Sequence, residues 1–123
     1  MLASAKMMGF LFTTDYEKAK EFFVGKLGFE AASHDEYALV IRSGPHTVRI
    51  SKMPNFTPQQ GTVLGWAVTD IEAAVAWLKE RGVSPEKYPF MKGAEICTFP
   101  GGDRVAWFKD PDGNILSVSQ HVR

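Results

Sequence analysis

The chain gives the same folding instruction twice: Thr14-Asp15-Tyr16-Glu17 and Thr69-Asp70-Ile71-Glu72 each follow an apolar stretch and open an amphipathic run that ends at a glycine. Two copies of one supersecondary unit are the simplest cause. In each copy a threonine N-cap can accept from the third helical amide while the glutamate three residues on reaches back to the cap's own amide. The spacing therefore predicts a helix start at each box. The first run places Ala19, Phe22, Phe23 and Leu27 on one stripe, and the second places Ile71, Ala74, Val75 and Leu78 likewise. Gly28 and Gly82 then fit helix stops.

Strand patterns surround both helices. Residues 6–13 read as a strand feeding the first helix, and 29–34, 36–42 and 46–53 as three strands after it, separated by turn signals such as Ser43-Gly44-Pro45. The order recurs as strand 62–68, helix 70–81 and strands near 93–99, 104–109 and 114–120. The expectation is one domain over 1–123, with a first βαβββ module at 6–53, a linker at 54–61 and a second module at 62–120. Asp110-Pro111-Asp112-Gly113-Asn114 is the sharpest local signal: proline presets the first corner, and glycine can take the left-handed position of a type I turn with a bulge.

Composition narrows the function. With 123 residues, one domain buries roughly two thirds of its unfolded surface, enough for a core. Fourteen basic and fourteen acidic residues balance to zero net charge, so neither nucleic acid nor an anionic membrane is an expected partner. Cys97 is the lone cysteine, which excludes an intrachain disulfide and a thiolate-rich metal site. Residues 1–8 carry one lysine and no long apolar core, so no signal peptide or membrane span is expected, and a cytoplasmic protein follows.

The repeated module together with the closing Phe108-Lys109-Asp110-Pro111-Asp112-Gly113-Asn114 resembles the vicinal oxygen chelate superfamily, which includes glyoxalase I, extradiol dioxygenases and bleomycin-resistance proteins. The resemblance spans Met8 to Gln120. It implies an α+β fold in which two βαβββ modules form a curved, half-closed mixed sheet around a cavity, helices on the outer face, commonly completed in a homodimer. It also implies four metal-ligand positions, one on the first and one on the last strand of each module. By the family's spacing from Asp15, Asp70 and Asp110 these fall on Met8, Val63 and Ser117, with Arg49 the fourth. A thioether, an isopropyl group, a neutral hydroxyl and a guanidinium do not suit Zn, Ni, Fe or Mn, so no metal and no other cofactor is expected.

Those positions mark the cavity face, because residues two apart on a strand share a side. Met8 brings Phe10 and Phe12; Val63 brings Gly65 and Ala67; Ser117 brings Ile115 and Ser119. The bulged turn shifts pairing by one residue and favours Val105 and Trp107 on this face over Ala106 and Phe108. The expected ligand-binding set is Met8, Phe10, Phe12, Arg49, Val63, Gly65, Val105, Trp107, Ile115 and Ser117, an apolar wall with few polar groups. Such a cluster also suits packed core or a subunit interface. Arg49 there points to an anionic ligand, a carboxylate or phosphate; a salt bridge to an acid such as Glu36 or Asp103, or simple solvent exposure, is the alternative. His34, His46 and His121 read as solvent-exposed, and Cys97 as an inert strand thiol.

Two functions remain open. One is metal-independent binding of a small organic, anionic aromatic ligand. The other is a glyoxalase- or dioxygenase-like enzyme, metal-free or with an atypical metal site, drawing acid-base groups from Tyr37, His46, Arg49 or Asp103; no catalytic set is legible.

Overall fold

The protein is described from a computed structural model covering residues 1–122. It divides into two compact units, 1–57 and 58–123, the break falling inside the 54–61 stretch. The first unit runs β1 (Met8–Thr13), α1 (Tyr16–Lys20), β2 (Glu30–His34), β3 (Leu39–Ser43) and β4 (His46–Lys52). The second runs β5 (Thr62–Ala67), α2 (Ile71–Glu80), β6 (Cys97–Thr98), β7 (Arg104–Lys109) and β8 (Ile115–Gln120). Each unit is a four-stranded mixed sheet, ordered β1-β4-β3-β2 and β5-β8-β7-β6. The first strand of each lies parallel to the last, so the helix and two strands between them form the crossover connection.

Both helices start one residue later than the capping-box reading places them. The caps are Asp15, whose carboxylate accepts from Glu17 N–H at 2.9 Å, and Asp70, which accepts from Ala73 N–H at 3.1 Å. A carboxylate at this position also complements the positive end of the helix dipole. The glycine stops hold: Gly28 and Gly82 both have φ of 78°, a region that side chains with a Cβ rarely enter. Beyond Lys20 the first helix widens to π-type turns over Glu21–Lys26, with Leu27 N–H reaching the Phe22 carbonyl. This extra width places Phe22 and Phe23 both in the interior, edge to face at 5.0 Å.

Alternation then separates the faces. In the first sheet Leu11, Thr13, Leu39, Ile41, Val48 and Ile50 are buried, along with the helix stripe Ala19, Phe22, Phe23 and Leu27. In the second, Ala106, Phe108, Leu116 and Val118 are buried with Ile71, Val75 and Leu78, and α2 packs on β7 and β8. The predicted strand 93–99 shrinks to Cys97–Thr98. Left-handed Lys92 and Gly93 lie on one side, and a tight turn after Phe99, with Gly102 at φ 100°, lies on the other.

The Asp110–Asn114 turn forms as the sequence indicates. Gly113 N–H donates to the Asp110 carbonyl at 3.0 Å, and Gly113 has φ of 86°. Asp110, itself buried, accepts from the amides of Asp112 and Asn114 and from Asn114 Nδ2, at 2.8 to 3.0 Å. Burial pushes its carboxyl above the ordinary value, against the lowering effect of those hydrogen bonds.

Candidate functional site

The parallel ladders put the two copies in one frame. Phe10 pairs with Arg49 in the first unit and Gly65 with Ser117 in the second; Leu11–Ile50 matches Trp66–Val118, and Phe12–Ser51 matches Ala67–Ser119. Asp15 and Asp70 lie five residues beyond Phe10 and Gly65 respectively. Arg49 and Ser117 are thus equivalent places in the repeat, and Met8 is equivalent to Val63.

On the open face of the first sheet Met8, Phe10 and Phe12 form a row, 50 %, 65 % and 38 % exposed. Alternate residues on β4, Thr47, Arg49 and Ser51, lie beside them. Phe56 folds over Phe12 with ring centroids 5.6 Å apart. Arg49 is half-buried between Phe10 on β1 and Val40 on β3. Among the described residues its side chain has no ion pair or hydrogen bond, so Glu36 does not hold it. Its charge helps keep the Asp35 carboxyl below the usual range, after the larger effect of the Tyr37 and Ala38 amides. Arg42 on the same face is paired with Glu30 at 2.9 Å.

On the second sheet Trp107 and Val105 are half-buried while Ala106 and Phe108 are enclosed. Trp107 pairs with Ser117, and its Nε1–H donates to Thr62 Oγ1 at 3.0 Å. Ile115 is half-buried opposite Thr62 and Lys109. Val63 falls where the β5–β8 register shifts, so alternation does not fix its side. Gly65 lies against Ser117: a Cβ at 65 would sit 2.5 Å from Ser117 Oγ and 3.4 Å from its carbonyl oxygen. Gly65→Val is therefore expected to cost about 1–3 kcal/mol through overpacking, read as a lowered urea midpoint.

Two aromatic residues escaped the sequence reading. Tyr88 and Phe90 stack on each other at 6.1 Å, and both meet Trp107 edge-on, at 5.8 and 6.1 Å. They lie in an irregular segment whose Glu86 N–H donates to the Trp107 carbonyl at 2.7 Å. The Tyr88 hydroxyl is enclosed and has no hydrogen-bond partner among the described residues. The only sequence signal was the Tyr88-Pro89-Phe90 spacing. His34 is exposed, as read from the sequence, and stands edge-on to Tyr16 at 5.1 Å. His121 is exposed too, and joins Ser119 and Asp103 in a hydrogen-bonded chain.

The residues at the four implied ligand positions do not fit a divalent metal. Their donor chemistry is wrong, and among the described residues no group of three or more histidine, cysteine, aspartate or glutamate side chains is arranged to hold one. No described helix is long and apolar enough to cross a membrane.

Comparison with known proteins agrees with the fold. No curated protein matches the sequence. Among solved structures, TnmS3, an antibiotic binding protein from Streptomyces sp. CB03234, is 27 % identical with a TM-score of 0.75, over 98 % of each chain. A glyoxalase family protein from Enterococcus faecalis is 22 % identical with a TM-score of 0.73, over 97 % of this chain and 99 % of its own. A superfamily member from Sphaerobacter thermophilus DSM 20745 is 23 % identical with a TM-score of 0.72, over 98 % and 100 %. The family model for the glyoxalase/bleomycin resistance protein/dioxygenase superfamily matches residues 5–118, which span both βαβββ units and the turn at Asp110. The chain belongs to that superfamily.

Proposed function

We propose that this chain binds a small organic ligand, an aromatic acid, without a metal ion, and that it works as a cytoplasmic homodimer. The observation that carries the reading is Arg49: a half-buried arginine whose side chain has no ion pair or hydrogen bond among the described residues, beside the exposed Phe10. Met8 and Phe12 extend the apolar surface next to it, and a guanidinium offers a carboxylate two parallel donors. In the second unit the half-buried Val105, Trp107 and Ile115, with the exposed Gly65 on the neighbouring strand, supply an apolar surface of the kind ligand sites use, backed by the buried Ser117. TnmS3, described as an antibiotic binding protein, supports binding of an organic molecule as the activity of such a fold.

The test is calorimetric titration with naphthoate and with its neutral amide. A charge-assisted hydrogen bond contributes about 1.5–3 kcal/mol, so Arg49→Ala is expected to weaken the acid roughly tenfold to hundredfold and leave the amide unchanged. Equal losses for both compounds, or no binding of either by the unsubstituted protein, would overturn the proposal. So would a stoichiometric divalent metal in the purified protein that raises its melting temperature. Light scattering at the mass of a monomer would remove the homodimer.

A further inference from the structure

The second unit contains a hydrogen-bonded chain that ligand binding does not use. Ser119 Oγ lies 2.9 Å from His121 Nε2, His121 Nδ1 lies 3.0 Å from Asp103 Oδ2, and Asp103 Oδ1 accepts from Val122 N–H at 3.1 Å. From these contacts we infer that Ser119 is an activated nucleophile, with His121 as its base and Asp103 as the positioning residue, and that it accepts acyl or phosphonyl groups bearing a good leaving group. The proposal stands independently of the aromatic-acid reading.

The order of atoms carries the inference. A carboxylate only accepts, so the proton of the neutral imidazole sits on Nδ1, toward Asp103. Nε2 is then the bare acceptor, and Ser119 must donate its hydroxyl proton to it. This is the tautomer a serine nucleophile requires, set by an aspartate that is itself tied to a backbone amide.

The local fold builds the arrangement. Ser119 lies on β8, and His121, one residue past the strand's end, brings Nε2 back to the hydroxyl. Asp103 arrives from the β6–β7 turn, where Gly102 N–H donates to the Phe99 carbonyl and Phe99 N–H to the Asp103 carbonyl, each at 2.8 Å. Glycine is needed at 102, because its φ is 100° and a Cβ there would stand 2.9 Å from Val122 Cγ1. The turn thus closes on residues 121 and 122. The small side chain of Ala67, exposed and in register with Ser119, leaves the hydroxyl approachable.

The chemistry balances without a cofactor. Ser119 Oγ bonds to the acyl carbon as its proton passes to His121 Nε2. The ester C–O bond then breaks, and the departing alkoxide takes that proton. Water repeats the sequence, releasing the carboxylic acid and restoring serine. With a fluorophosphonate, the Oγ–P bond forms, the P–F bond breaks and the adduct remains. The amides around Ser119 lie in a central strand paired on both sides, so they offer an acyl oxygen no free donor pair. Reactivity is accordingly confined to groups with good leaving groups, such as aryl esters, and excludes amides.

The test incubates the full chain with an alkyl fluorophosphonate and maps the adduct by peptide mass spectrometry, with p-nitrophenyl acetate as a parallel acyl donor. The expected result is one adduct on Ser119. A general base contributes roughly 100-fold or more, so His121→Gln should slow labelling by about that factor, and Asp103→Asn by at least about tenfold, with melting temperatures near that of the unsubstituted protein. An unlabelled protein, an adduct on another residue, or labelling rates unchanged in His121→Gln would overturn the assignment. So would labelling losses in Asp103→Asn that merely follow a fall in melting temperature.

Discussion

Asp110→Ala is expected to destabilise the protein by about 2–4 kcal/mol, because it removes the buried carboxylate that accepts from the Asp112 and Asn114 amides and from the Asn114 side-chain amide. Guanidinium chloride denaturation at neutral pH measures this directly. The carboxylate also gives the loss a pH signature. Burial raises the folded-state carboxyl above its ordinary value of 3.8, so the folded protein holds this proton to higher pH than the unfolded chain does. Stability from this group is therefore fully present below 3.8 and is lost as pH rises through the raised folded value. Asp110→Asn removes the titration, and the stability difference between it and the unsubstituted protein should change across that window and stay flat above it. Asp35 has the opposite sign: its carboxyl is lowered, chiefly by the Tyr37 and Ala38 amides, so its contribution is lost as pH falls through its folded value.

Phe108→Ala should cost about 3–5 kcal/mol, the loss expected when a large aromatic is cut from a closed core. Its ring is 1 % exposed and stacks on Trp66 at a centroid separation of 6.4 Å. The adjacent residue supplies a control. Trp107 points to the other side of β7 and is half-buried, so Trp107→Ala should cost less, while removing the surface on which Tyr88 and Phe90 rest. Denaturation separates the two variants by stability, and under the proposed function titration with an aromatic acid is expected to separate them in the reverse order. If the two substitutions destabilise equally, Trp107 belongs to the core rather than to a ligand surface.

What was legible in the sequence follows the reach of its signals. The family resemblance supplied Met8, Arg49 and Ser117 as markers, and period-two alternation and the bulged turn then put Phe10 on Arg49's side of the first sheet and Trp107 on Ser117's side of the second, because a strand with one buried face must keep its register. The stops at Gly28 and Gly82 were legible because a left-handed residue strongly selects glycine. The caps were misread by one residue, since Thr14-Asp15 and Thr69-Asp70 each offer two adjacent capping side chains and propensity alone does not rank them. Tyr88 and Phe90 lay in a segment with neither period. The Ser119–His121–Asp103 chain was illegible for another reason: Asp103 reaches His121 only after the glycine turn folds, and no spacing records that approach.

The shared register of the two ladders has a consequence for how this molecule can be re-engineered. At one rung a phenyl ring neighbours a cation, and at the corresponding rung a bare backbone neighbours a hydroxyl, so one scaffold carries different bulk and charge in its two copies. Exchanges confined to Phe10 and Arg49 can thus change bulk and charge on the open face of the first sheet and leave α2 and the closing turn of the second unit untouched.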